Sequence, residues 1–216
     1  MLKKIKSQFI LKFIFQNLKK RQKLKIIKYN NKLLKQLNIQ INDFEDYSLL
    51  KNLNQKYNLT IEDIDIKELN ISKNLKRNTI LQDICKIGFK ELKVLIIHNY
   101  NISDLKGLEN CKFEKLEILD LEKNILSDIN ILEKVNFKEL KELCLRSTDT
   151  SDIEVLAKVK FEKLEKLDLG INSISDINIL DKVNFKGLKE LSLLGNKISK
   201  LKVLENVDFN NLKNYI

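Results

Sequence analysis

The sequence predicts an α/β solenoid, with short parallel strands on a concave face and short helices or turns on a convex face, preceded by an α-helical N-terminal cap. Three observations carry this. Phenylalanine recurs at positions 89, 113, 137, 161, 185 and 209, a spacing of 24 residues without a slip. Every unit then repeats one apolar pattern, L-x-x-L-x-L-x-x-N-x-I-x-x-I-x-x-L, as at Leu164, Leu167, Leu169, Asn172, Ile174, Ile177 and Leu180. Self-similarity at such a period is the mark of a repeat architecture. Finally, charge is uneven: residues 1–42 hold 12 Lys/Arg and no acid, while the remainder carries 28 basic and 30 acidic residues within a net charge of +10. These features divide the chain into a basic segment 1–42, a bridge 43–65 and repeats over 66–216.

The basic segment shows helical spacing at Ile10, Ile14 and Leu18 and again at Leu24, Ile27, Leu34 and Leu37. Its most apolar stretch, Phe9 to Phe15, is interrupted by Lys12. That stretch is far shorter than the roughly 20 residues a membrane span requires. No small-residue cleavage site follows it, so a secretory signal is not expected. Residues 43–65 mix charges with Leu49, Leu50, Leu53, Tyr57 and Leu59, which predicts a helical bridge covering the open core of the first repeat. A degenerate first unit is legible in Ile66, Leu69, Ile71 and Asn74, joined by a two-residue insertion to Leu81, Ile84 and Ile87.

Within each repeat, alternation such as Leu167-Asp168-Leu169-Gly170 reads as a strand with one buried face. The asparagine that follows turns the chain and supplies a carboxamide to backbone groups leaving the ladder. Ser-Asp pairs at 127–128, 151–152 and 175–176 then precede Ile-x-x-Leu-x-Lys, which predicts an N-cap for a short convex helix with Lys134, Lys158 and Lys182 at its other end. A single 24-residue unit buries too little to fold alone, so neighbours must stack, with the phenylalanine column as their spine. The chain stops midway through a further strand at Tyr215 and Ile216, a half-unit that reads as a cap, as an edge that pairs with something, or as a truncated relative of a longer protein.

The repeat motif resembles the leucine-rich repeat family over residues 66–216. The Ile-Ser-Asp-Ile run at 174–177 is similar to the short-repeat subclass found in a protein-phosphatase regulatory subunit and in bacterial internalins. The resemblance implies a horseshoe. Tyr100 and Thr148 replace the asparagine seen at 124, 172 and 196; threonine still offers a hydroxyl there, whereas Tyr100 is expected to distort its turn. A second resemblance, to the F-box, lies in Ile10, Leu11, Ile14, Phe15 and Leu18, with Gln8-Phe9 where that module opens on Leu-Pro. It implies docking of a Skp-type ubiquitin-ligase adaptor through those residues and a role as substrate adaptor. Two other readings stand beside it: a helical cap with solvated lysines, or an arm attracted to anionic lipid, nucleic acid or an acidic protein. With only Arg21, Arg77 and Arg146 among 40 basic residues, bidentate recognition of bases is weakly supported.

Function is expected to reside on the concave strands. Ile96, Asp120, Cys144, Asp168 and Ser192 form one outward column, and His98, Glu122, Arg146, Gly170 and Leu194 the next. Core positions repeat and these vary, as on a surface fitted to a partner protein. The simpler alternative is a set of solvated residues with Arg146 paired between Glu122 and the aspartates. Catalysis is not expected. His98 is the only histidine, the five glycines build no phosphate loop, and no metal or cofactor is implied. Cys85, Cys111 and Cys144 have no metal spacing, and their odd number suggests no closed disulfide framework and an intracellular, cytoplasmic setting. Cys111 occupies the slot of Val135, Val159 and Val183, a core isostere.

Overall fold

The computed structural model describes residues 52–55, 66–71, 79–183, 185–200, 202–205 and 214–215. The chain divides into two units, Met1–Ile64 and Asp65–Ile216. In the first, residues 52–55 are helical with Leu53 buried. The rest of the expected basic helices and bridge, including Ile10, Leu11, Ile14, Phe15 and Leu18, lies outside the described residues.

The second unit is built on strands β1 (Glu68–Ile71), β2 (Val94–Ile97), β3 (Ile118–Asp120), β4 (Glu142–Cys144), β5 (Lys166–Asp168), β6 (Glu190–Ser192) and β7 (Asn214–Tyr215). They form one parallel sheet in strict chain order. Register follows the sequence repeat: Leu95, Leu119, Leu143, Leu167 and Leu191 pair with one another along the sheet, with Leu69 and Tyr215 at its ends. Parallel strands need a crossover at every step. Here each crossover passes over the convex side, and the phenylalanine column lies beneath it, with Phe89, Phe113, Phe137, Phe161 and Phe185 all buried. The rings of Phe113 and Phe137 stack with centroids 6.4 Å apart.

The convex elements differ from one another for a reason of length. Strand pairing between β1 and β2 joins Glu68 to Val94, a step of 26 residues, against 24 elsewhere. The two extra residues accommodate a full α-helix, α1 (Ile80–Ile87), with Ile80, Leu81, Ile84 and Ile87 buried and Gly88 closing it in the left-handed conformation. Later turns have room for only four or five residues, Lys106–Asn110, Asn130–Glu133, Glu154–Ala157, Asn178–Asp181 and Lys202–Glu205, and these wind as 3-10 helices. Their bonds span three residues, as in Leu132 N to Ile129 O at 3.0 Å. The expected Ser-Asp N-cap is not formed, since Ile129, Ile153 and Ile177 hold the cap position without a side-chain bond; instead Asp128, Asp152 and Asp176, one residue earlier, each accept from the backbone N–H two residues on, at 2.8 Å. Lys134, Lys158 and Lys182 are the residues that close these turns.

Asparagine forms a ladder between turns. Asn172 accepts from Thr148 N and Thr150 N and donates to Leu145 O and Leu169 O, and Asn124 makes the same set two turns earlier. Thr148 does supply its hydroxyl, to Leu145 O at 2.8 Å, while the contact to the preceding turn is taken over by Thr150 Oγ1 on Leu126 O. The distortion expected at Tyr100 falls on the backbone beside it. Its side chain is buried, and one residue after the strand is left-handed in every turn from Asn99 to Gly195. The two turns without asparagine add a second such residue, Asn101 and Asp149. Both are types that tolerate this region.

Charge is also stacked at the repeat interval. Glu91 pairs with Lys115, Glu139 with Lys163 and Glu165 with Lys189, each 24 residues on, and Glu117 lies between Lys93 and Lys141. The hydrogen bond from Lys141, followed by that from Lys93, holds the Glu117 carboxyl down at about 2. Since this lies below the unfolded value, its stabilising effect is complete above pH 4.5 and disappears as pH falls from there towards 2. Carbon-detected NMR titration should therefore place the Glu117 midpoint near 2 and shift it upward in Lys141→Ala. An ordinary midpoint in the native protein would show that the ladder does not exist in solution.

The cysteine expectation needs correction. Cys85 and Cys111 are joined, and Cys144 is the free thiol. An odd count permits one bridge and one remainder. Cys85 sits on the convex helix α1 of the repeat unit.

Candidate functional site

The inward parity of the leucines on each strand forces the intervening side chains onto the opposite, concave face. All nine expected site residues take that face. Ile96, His98, Asp120, Glu122, Cys144, Arg146, Asp168 and Ser192 are half-buried there, and Leu194 is exposed. Two contacts among these nine residues tie neighbouring turns: His98 Nε2 lies 2.9 Å from Asp120 Oδ1, and Arg146 Nη1 lies 3.8 Å from Asp168 Oδ2. Glu122 does not join Arg146, as the solvated alternative supposed, but meets Lys123 at 2.9 Å. The aspartates have a second, local task. Asp120 Oδ1 accepts from Glu122 N and Asp168 Oδ1 from Gly170 N, so each fixes the end of its own strand.

Gly170 makes space for the arginine. A Cβ there would stand 2.6 Å from Arg146 Nη1 and 3.0 Å from Asp168 Oδ1. The centre of the face is a shallow depression in which Asp120, Glu122, Glu142 and Asp168 surround Arg146 and Lys166. Cys144 lies on its floor. Burial, reinforced by the Asp120 and Asp168 carboxylates, pushes its thiol up to about 12. It is protonated at neutral pH and is no nucleophile. Among the described residues, no group of three His, Cys, Asp or Glu side chains could hold a metal ion, and no helix is long and apolar enough to cross a membrane.

The columns omitted Ile171. This residue is 50% exposed, has φ 52°, and occupies the left-handed slot held elsewhere by Asn99, Lys123, Ser147 and Gly195. A β-branched residue in that region is strained by about 1–2 kcal/mol. Its N–H donates to Leu194 O at 2.6 Å, and Leu194 is likewise 50% exposed, so two exposed apolar residues stand on adjacent turns whose backbones are joined. The departure was visible in the aligned units as the one β-branched residue in its column.

A parallel sheet with one strand per 24 residues, an asparagine ladder and 3-10 convex turns defines a leucine-rich repeat horseshoe. Two solved internalins share this fold. An internalin (inlF) from Listeria monocytogenes matches at a TM-score of 0.60 and 26% identity, over 81% of this chain and 50% of its own. Internalin C2 from the same organism matches at 0.57 and 24% identity, over 81% of this chain and 75% of its own. The leucine-rich repeat ectodomain of a plant membrane receptor kinase from Arabidopsis thaliana matches at 0.49 and 18% identity, over 71% of this chain and 18% of its own. This chain thus spans half the length of the first internalin and three quarters of the second. No protein-family model and no curated protein matches it.

Proposed function

We propose that this protein is a non-catalytic interaction module that holds a partner protein on the concave face of its parallel sheet. One observation carries the reading. The inward positions Leu95, Leu119, Leu143, Leu167 and Leu191 repeat from turn to turn, whereas the outward columns beside them change chemistry at each step, from Ile96 and His98 through the ionic centre to Ser192 and Leu194. The ionic pairs confer selectivity, because a partner must supply complementary charge to groups that are already half desolvated. Ile171 and Leu194 supply the apolar anchor. Retaining a strained, exposed isoleucine where a polar residue or glycine would relax the backbone fits a contact residue and does not fit packing.

Affinity capture with the full-length chain tests this in two ways. Arg146→Glu combined with Glu122→Lys reverses the centre of the face and should lower recovery of the specific partner at least about tenfold. Unchanged recovery would move the site off the concave sheet. Ile171→Asn separates binding from folding. It should raise stability by about 1 kcal/mol in chemical unfolding, by relieving the left-handed strain, while lowering recovery of the same partner. A variant that is both more stable and fully competent would remove Ile171 from the interface.

A further inference from the structure

The first junction of the solenoid differs from those that follow. At the second and third, Glu109 pairs with Lys134 at 3.3 Å and Glu133 with Lys158 at 3.7 Å, ion pairs that reach across adjacent convex turns. Val135 and Val159 follow those lysines. One repeat earlier, the slot of Glu109 is Cys85 and the slot of Val135 is Cys111. Both departures from the repeat fall at one junction, and they bring the two cysteines together with Cα atoms 4.7 Å apart. That separation is within the span of a disulfide.

The surrounding packing is tight and open to solvent on one side. Gly107, in the turn that ends at Cys111, lies against α1 so closely that a Cβ would stand 2.7 Å from Gln82 N and 3.0 Å from the Leu81 carbonyl carbon. Both cysteines are nonetheless only half-buried, and Cys111 Sγ has Gly107 O at 3.5 Å. The backbone therefore holds the two sulfur atoms together, while a small reagent can still reach them.

We propose that Cys85 and Cys111 are a thiol–disulfide exchange site, oxidised by a small-molecule disulfide to a bridge that locks α1 onto the next turn. The thiolate of one cysteine attacks a sulfur of the reagent, breaking its S–S bond and releasing one thiol. The second cysteine thiolate then attacks the protein sulfur of the mixed disulfide and releases the other. The reagent gains the two electrons and two protons that the cysteines lose. The bridge spans 26 residues, one turn of the solenoid, and so replaces by a covalent bond the kind of cross-turn contact that Glu109 and Lys134 make further along. Cys144 serves as an internal reference, since it has no partner cysteine and lies on the other face.

The test uses the full-length chain, reduced with dithiothreitol or incubated with oxidised glutathione. Thiols are counted in denaturant, peptides are mapped without reduction, and hydrogen exchange is followed in α1. Oxidation should leave one free thiol, Cys144, and join the peptides carrying Cys85 and Cys111. It should also slow exchange across Ile80–Ile87 at least about tenfold. Cys144→Ser should give the same bridge, and Cys85→Ser should leave a single glutathione adduct on Cys111. Three free thiols after oxidation, or separate adducts on Cys85 and Cys111, would overturn the site. A bridge that leaves α1 exchange unchanged would overturn the lock.

Discussion

Phe137→Ala should destabilise the solenoid by about 3–5 kcal/mol, read from chemical unfolding of the full-length chain. The side chain is buried and stacks on Phe113, so truncation loses both its transfer free energy and one ring contact, and leaves a cavity under the convex turn. The neighbouring turns cannot readily close that cavity, because the strands are held in register by Leu143 and Leu119 on either side. In a solenoid, stability is shared between nearest neighbours, so the loss should also broaden the transition as turns on the two sides of Phe137 uncouple. Ile125→Ala is the control. That side chain is 46% exposed and its removal should shift stability by no more than about 0.5 kcal/mol. Should Phe137→Ala lose less than about 1 kcal/mol, the aromatic column would not be the spine of this fold.

Legibility in the sequence followed the physics of each feature. Strands could be read because alternation and burial have the same period in every turn, so that Leu119, Leu143 and Leu167 state their face and register at once. The two-residue insertion before Leu81 could be read from spacing alone, but its consequence could not. An apolar residue every third position suits an α-helix and a 3-10 helix equally, and only the length of chain left between strands decides between them. On the concave face, parity placed Arg146 and Asp168 correctly, yet which charges pair depends on the room left by Gly170, a property of the assembled sheet. An odd number of cysteines says nothing of which two meet, whereas their slots in the repeat do. Compared position by position with Glu109 and Val135, Cys85 and Cys111 already mark one junction.

Asn172→Ala should cost about 3–5 kcal/mol despite removing only a small side chain, because what it strands is backbone. Asn172 accepts from the N–H groups of Thr148 and Thr150 and donates to the carbonyls of Leu145 and Leu169, all in the interior between two turns. Each buried group left without a partner costs about 1–3 kcal/mol, and relaxation or water recovers only part of the total. The protein contains its own alternative solution one turn earlier. There Thr148 Oγ1 serves Leu145 O, Thr150 Oγ1 serves Leu126 O, and the two hydroxyls lie 2.9 Å apart. Thr150 corresponds to Ile174, so a lone Asn172→Thr would recreate half of that pair against an apolar neighbour. Asn172→Thr and Ile174→Thr should each destabilise, and the double variant should be more stable than their sum by about 1 kcal/mol or more. Additive losses in that cycle would mean that the threonine pair does not replace the carboxamide, and that the ladder tolerates a gap at Thr148 for some other reason.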